Sequence, residues 1–312
     1  MQANALRIVF MGTPDFAVAS LEALIKDGMQ VVAVVTAPDK PAGRGLQPTL
    51  SAVKKFAVEH NLPILQPEKL KDPHFLEQLK SFHADIQVVV AFRMLPEVVW
   101  SMPPLGTINV HASLLPQYRG AAPIHRAIMN GETMTGVTIF RLQHAIDTGG
   151  ILLQESVPIG EKQTVGELYE VLSKSGAQLL VTTLHLLAAG KLQEQPQDEL
   201  IQSSLHHAPK IFAEDCIIDW NKSTQTIYNQ IRALSPQPGA MTKLDGKTLK
   251  IYTASTEKAE HNFEPGLLVT DGKSKLSFTC SDGWIHVEAL QLEGKKRMLT
   301  TEFLRGYRPA QT

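Results

Sequence analysis

Cysteine is nearly absent: Cys216 and Cys280 are the only two among 312 residues. That excludes a disulfide framework and a cysteine-rich zinc site, and it fits a reducing compartment. Long apolar runs are missing as well, none approaching the ~18 residues of a membrane span. The N-terminus also lacks a basic region followed by an apolar run and a cleavage site. The expectation is a cytoplasmic chain with no membrane partner. Neither sign of charge is in excess, with 30 basic and 31 acidic side chains and a net charge of −1. Wholesale electrostatic capture of nucleic acid needs a strong positive field, so any such contact must come from local groups. Residues 1–208 hold 16 basic and 19 acidic side chains, and residues 209–312 hold 14 and 12, so neither part supplies that field. The near-neutral charge and a 6% aromatic content weigh against a non-catalytic RNA-binding protein. None of the 11 histidines shows a zinc-type spacing with cysteine or acid, and no metal site is expected.

What is present is a rhythm. Residues 7–11, 30–36, 63–66 and 86–91 are apolar strand-like runs, and the last is expected to be the central strand. Helical patterns separate them, with Phe16, Ala19, Ala23 and Leu24 before a closing Gly28, then Val53, Phe56 and Ala57. Asp72 and Pro73 read as a helix start with proline at the first position. Continuous apolar strands alternating with amphipathic helices imply an α/β fold with a mostly parallel sheet covered on both faces. A helix is expected from 123 to 129, strands at 136–142 and 151–157, and a long helix from Thr164 to a stop at Gly190. Residues 191–208 are polar and read as a linker. Beyond them a helix spans 223–234, and short β-rich runs are separated by Asp-Gly pairs at 245–246, 271–272 and 282–283, each a hairpin signal. That pattern predicts a small antiparallel barrel or sheet. Two domains follow, residues 1–190 and 209–312.

The chemistry centres on residues 107–111, Thr-Ile-Asn-Val-His. As a strand, this run points Asn109 and His111 to one face. That places an amide beside the one side chain that ordinarily titrates near neutrality. Asp147, in a Asp-Thr-Gly-Gly turn, can orient or charge that histidine. A polar pair at a strand's end plus a distant carboxylate reads as an acyl-transfer site. At Gly12-Thr-Pro-Asp15 a strand gives way to a helix where a dinucleotide fingerprint would stand. The G-x-G-x-x-G pattern is missing, which argues against NAD binding there. Residues 38–48 are a long insertion with three prolines and two glycines, from which Lys40 and Arg44 can hold phosphates.

Residues 108–124, Ile-Asn-Val-His-Ala-Ser-Leu-Leu-Pro-Gln-Tyr-Arg-Gly-Ala-Ala-Pro-Ile, together with Gly-Val-Thr-Ile at 136–139 and Asp-Thr-Gly at 147–149, resemble the folate-dependent formyltransferases. Phe-Met-Gly-Thr-Pro-Asp-Phe at 10–16 and Pro-Asp-Lys-Pro-Ala-Gly-Arg-Gly at 38–45 narrow the resemblance to the branch acting on methionyl initiator tRNA. Sugar-nucleotide and glycinamide-ribonucleotide formyltransferases and formyl-folate hydrolases are the rivals within the class. The resemblance covers essentially the whole chain. It implies a Rossmann-like first domain, an OB-fold-like β-barrel that contacts tRNA, and 10-formyltetrahydrofolate as co-substrate. It places catalysis on Asn109, His111 and Asp147, and folate contacts on Ser113, Leu114, Leu115 and Pro116. It associates the Arg44 loop with the acceptor stem and makes Phe16 and Tyr169 walls for the methionyl side chain. A monomer is expected. The chain departs from the pattern at Phe92-Arg93, where relatives often carry tyrosine-glycine, and at Leu46 and Gln47, where better-known relatives carry lysines.

Overall fold

The computed structural model describes residues 2–42, 47–201 and 204–307. Backbone contacts divide the chain into two units. The first comprises residues 1–120, 134–158 and 169–207, and the second 121–133, 159–168 and 208–312.

In the first unit, β1 (Arg7–Gly12) is buried along almost its full length and passes into α1 (Asp15–Lys26). Phe16, Ala17, Ser20, Leu21 and Leu24 bury one stripe of that helix. Gly28, at φ 74°, ends it in the left-handed conformation that glycine adopts without cost. The chain continues through β2 (Gln30–Val35), α2 (Ala52–Glu59), β3 (Ile64–Leu65) and α3 (Pro73–Ser81). The Asp72 carboxylate caps α3 by accepting from the His74 and Phe75 amides, with proline at the start as the sequence predicts. Next come β4 (Ile86–Val90), α4 (Glu97–Trp100) and β5 (Thr107–His111). After α5 (Pro123–Met129), which belongs to the second unit, β6 (Met134–Arg141), β7 (Ile151–Pro158) and the long α6 (Val165–Ala188) follow.

The seven strands lie in the order β7-β6-β5-β4-β1-β2-β3, with β4 at the centre as expected. The five from β5 to β3 run parallel, while β6 pairs antiparallel with both β5 and β7. β4 is buried at every position and stops where Ala91 turns to φ 48°. The register sets Gly12 opposite Val90, and Val90 opposite Val110. The C-terminal ends of β1, β4 and β5 therefore line up along one sheet edge, and the loops starting at 13, 91 and 112 all leave from it. In open α/β sheets that edge is where ligands bind. Val9, Met11, Val35, Phe75, Leu79 and Val89 form the core on one face. Each such side chain contributes about 1.5–3 kcal/mol when fully buried, before chain entropy is charged against it.

The second unit carries α7 (Thr224–Ala233) and an antiparallel sheet of β8 (Ala240–Leu244), β9 (Lys247–Lys258), β10 (Leu268–Thr270), β11 (Leu276–Cys280), β12 (Gly283–Leu292) and β13 (Met298–Leu299), then α8 (Thr300–Gly306). The order is β8-β9-β12-β11-β10, with β13 on β12. Register shifts in β9 around Thr253 bend that long strand. The sheet curls about Ile227, Ile231, Leu249, Ile251, Phe278 and Ile285. Asp245 and Gly246, at φ 49° and 76°, make the expected two-residue hairpin. The other Asp-Gly pairs act differently. Asp271 opens a longer loop, its carboxylate accepting from the Lys273, Ser274 and Lys275 amides. Cys280 pairs with Gly283, so Ser281 and Asp282 are the turn and Gly283 already belongs to the strand. Burial of Cys280 and Ile285 decides that register, since a slip of one residue would turn them out to solvent. Among the described residues no helix is long and apolar enough to cross a membrane.

Candidate active site

On β5, Asn109 pairs with Val89 and Phe140, and His111 pairs with Thr138. The strand's two-residue period sets both polar side chains on one face, while Ile108 and Val110 are buried on the other. Asn109 is half-buried, and no hydrogen bond to its side-chain amide exists among the described residues. His111 is only 6% exposed. Its Nε2 lies 3.0 Å from the Tyr118 carbonyl oxygen. A carbonyl can only accept, so Nε2 carries the hydrogen and Nδ1 is the nitrogen left to exchange protons. Nδ1 stands 3.9 Å from Asp147 Oδ2, within ion-pair reach and beyond a direct hydrogen bond.

Asp147 comes from the turn joining β6 to β7, at φ 52°, a conformation that aspartate tolerates better than most residues. Its Oδ2 accepts from the Gly120 amide at 3.0 Å. Two residues on, a Cβ at Gly149 would lie 1.7 Å from the Arg141 carbonyl oxygen, so only glycine lets this turn close onto β6.

The loop after β5 is held by Thr138. Its Oγ1 donates to the Ser113 carbonyl at 2.7 Å and accepts from the Leu115 amide at 3.1 Å. It also accepts at 2.8 Å from Gln154 Nε2, which reaches the Leu115 carbonyl at 2.7 Å as well. Ser113 Oγ donates to the Gln117 carbonyl at 2.7 Å. Gly136 leaves room for the loop, since a Cβ there would come within 2.5 Å of Leu114 Cδ2. Ser113, Leu115 and Pro116 are buried and Leu114 half-buried. Thr138 and Gln154 do not stand out in the sequence, because only the pairing of β6 with both β5 and β7 brings them to this loop.

The structure also brings Phe16 and Tyr169 together. The Phe16 amide donates to Tyr169 Oη at 2.8 Å, and the rings meet edge to face with centroids 5.1 Å apart. Burial pushes the Tyr169 phenol above its ordinary range, against the opposing pull of that hydrogen bond. Lys40 begins a short ribbon in which Lys40–Ala42 pairs with Gln47–Thr49. Arg44 and the Lys40 side chain lie outside the described residues. The base of that insertion is pinned by Asp39, whose carboxylate is held low by the Lys54 ammonium and the Gln66 amide. At the departure noted above, Arg93 donates to the Pro67 and Glu68 carbonyls and lies 5.6 Å from the Phe92 ring centre.

An unpartnered amide, an imidazole with one nitrogen free and a nearby carboxylate suit acyl transfer to a nucleophile that the protein need not supply. Both cysteines lie in the second unit, and burial pushes both thiols up, away from the reactive thiolate.

Residues 6–184 match the formyl transferase family, and residues 210–308 match the formyl transferase C-terminal domain. A protein of Parabacteroides distasonis named methionyl-tRNA formyltransferase is 54% identical over 318 residues, covering 99% of this chain and 98% of its own length. Among solved structures, WlaRD, a sugar 3N-formyl transferase, superposes with a TM-score of 0.64 at 21% identity, over 93% of this chain and 99% of that one. HypX from Aquifex aeolicus in complex with tetrahydrofolic acid superposes with a TM-score of 0.66 at 19% identity, over 98% of this chain and 48% of that one. At such identities these two likenesses are likenesses of fold. The matches across both parts of the chain, and a full-length relative above half identity, establish that the chain belongs to the formyl transferase family.

Proposed function

We infer that this chain transfers the formyl group of 10-formyltetrahydrofolate to the α-amino group of methionyl initiator tRNA. The observation that carries the reading is the full-length relative of that name together with the Asn109, His111 and Asp147 constellation at the sheet edge. The amine is itself the nucleophile. The protein must therefore accept it neutral, stabilise charge on the formyl oxygen and move one proton to the departing nitrogen. In this assignment the Asn109 amide donates to the oxygen where charge develops. His111 works through Nδ1, because Nε2 is committed to the Tyr118 carbonyl. The Asp147 carboxylate supports the imidazolium that forms when Nδ1 takes a proton.

The remaining assignments extend this reading. Ser113, Leu114, Leu115 and Pro116 form the folate-contacting loop, and their tight tie to β6 gives it a fixed shape. Phe16 and Tyr169 wall the methionyl side chain, and Lys40 and Arg44 meet phosphates of the acceptor stem. Residues 1–190 carry the chemistry and 209–312 contact tRNA; the stretch 191–208 read as a linker packs Gln197 beneath the Asp147 turn of the first unit, and the protein acts as a monomer.

Incubating the purified chain with 10-formyltetrahydrofolate and, separately, methionyl initiator tRNA, glycinamide ribonucleotide and amino-sugar nucleotides tests the reading. Formylation of the tRNA alone is the expected result. Turnover with a small amine and none with tRNA would overturn it.

A further inference from the structure

Gln197 stands in a polar stretch, yet it is only 2% exposed. Its Nε2 donates to the Asp147 carbonyl at 2.9 Å and to the Gly149 carbonyl at 2.7 Å. Its Oε1 accepts from Arg119 Nε at 3.0 Å and from Nη2 at 2.7 Å. A guanidinium only donates and a carbonyl only accepts, so the amide has one possible orientation, with both donors and both lone pairs used. Arg119 is also the residue before Gly120, whose amide donates to Asp147 Oδ2 at 3.0 Å. Asp147 is thus gripped at its backbone by Gln197 and at its carboxylate by Gly120, with Arg119 joining the two grips.

At its base the turn is closed by the Arg141 amide donating to the Gly150 carbonyl at 3.0 Å and by the close approach of Gly149 to β6. The local bonds from Gln143 to Thr148 and from Thr148 to the Ala145 carbonyl are exposed to solvent. The residue that must be placed also sits at positive φ, a conformation that the surroundings have to enforce. We propose that Gln197 and Arg119 are positioning residues that set the distance and direction of the Asp147 carboxylate from His111 Nδ1. The proposal rests on the role given to Asp147 above. Neither residue touches the reacting atoms. Gln197 acts through the turn backbone, and Arg119 acts by denying the Gln197 amide its flipped orientation.

The test compares Gln197→Met, which keeps volume and loses every hydrogen bond, with Arg119→Lys, which keeps charge and loses the fork, and with Asp147→Asn. Formylation is measured with the full chain. The amide signal of Gly120, which donates to Asp147 Oδ2, is followed by NMR in the ligand-free protein as a reporter of where the carboxylate sits. A misplacement on the order of 1 Å can cost ~100-fold, so Gln197→Met should lower kcat about tenfold to a hundredfold while KM for the formyl donor stays within about twofold. The Gly120 amide signal should move in Gln197→Met, in the same direction as in Asp147→Asn, because a withdrawn or neutral side chain accepts less strongly from that amide. Arg119→Lys should show the same two changes to a smaller extent, and it carries the test if Gln197→Met does not fold. Should Asp147→Asn be slow while Gln197→Met keeps normal kcat, or loses kcat with an unmoved Gly120 amide signal, the positioning role is wrong. If Asp147→Asn itself turns over normally, the reading of Asp147 fails instead.

Discussion

An amide left unpaired inside a fold costs roughly 1–3 kcal/mol, which is why most buried ones find partners. Asn109 is half-buried on β5 with no such bond among the described residues, two positions along the same strand face from an imidazole whose Nε2 is anchored. On the proposed reading its partner is the formyl oxygen of the co-substrate. Replacing Asn109 with alanine should lower kcat by ~10²–10³, the usual loss on removing one oxyanion donor. Stability should be unchanged or slightly higher, since no folded-state hydrogen bond is lost. Single-turnover formylation and urea unfolding measure the two sides, and near-full turnover in the variant would remove Asn109 from the mechanism. At Asp271 the effect is one of stability. Amide bonds from Lys275 and its neighbours hold that carboxyl well below the 3.8 of an ordinary aspartate. A depressed carboxyl contributes stability that is present above its unfolded value and lost as pH falls below it. Asp271→Asn should therefore melt lower than the parent at pH 7, and the two melting curves should converge as the buffer is taken below about pH 4. A melting difference that stays constant across that range would show that the charge does not matter.

Among elements, the β6–β7 connection and α7 have the most to lose. Gly149 sits where any side chain would strike the Arg141 carbonyl, so Gly149→Ala must displace the turn that carries Asp147. An expected loss of about 2–4 kcal/mol of stability should accompany a fall in kcat, because one movement causes both. Chemical unfolding beside formylation checks this, and a variant that is destabilised but fully active would show the turn to be structural only. In the second unit, α7 buries Ile227 and Ile231 at helical spacing against the curled sheet. Ile231→Ala opens a cavity there and should cost about 2–5 kcal/mol, read as a shift in urea midpoint without a change in slope.

For the molecule as a whole, the balance of 30 basic and 31 acidic groups sets the terms on which a polyanion can be held. With no global positive field, each local cation carries a larger share of the attraction. Arg44→Ala should weaken binding of initiator tRNA and reduce the slope of log affinity against log salt by about one, while binding of the folate co-substrate stays the same. Filter binding between about 50 and 200 mM salt reads that slope. If the slope does not change, the insertion at 38–48 has no part in holding tRNA.

Much of this was legible in the residues themselves. Apolar periodicity is local, so the strands at 7–12, 30–35 and 86–90 and the helices at 15–26 and 224–233 could be read within a few residues, and the proline at 73 marked a helix start. The run at 108–124 was specific enough to indicate the family, and β5 presents Asn109 and His111 on one face merely because strands alternate. Register and distance were not legible. That Thr138 meets His111, that Asp147 stops 3.9 Å from Nδ1, and that Gln197 is buried under the same turn all depend on which segments compete for the same interior. The turn at 281–282 shows the same limit, since an Asp-Gly pair signals a hairpin locally while burial of Cys280 and Ile285 chooses which residues form it. Local preference decided what each segment is, and the burial of distant faces against each other decided which residues meet.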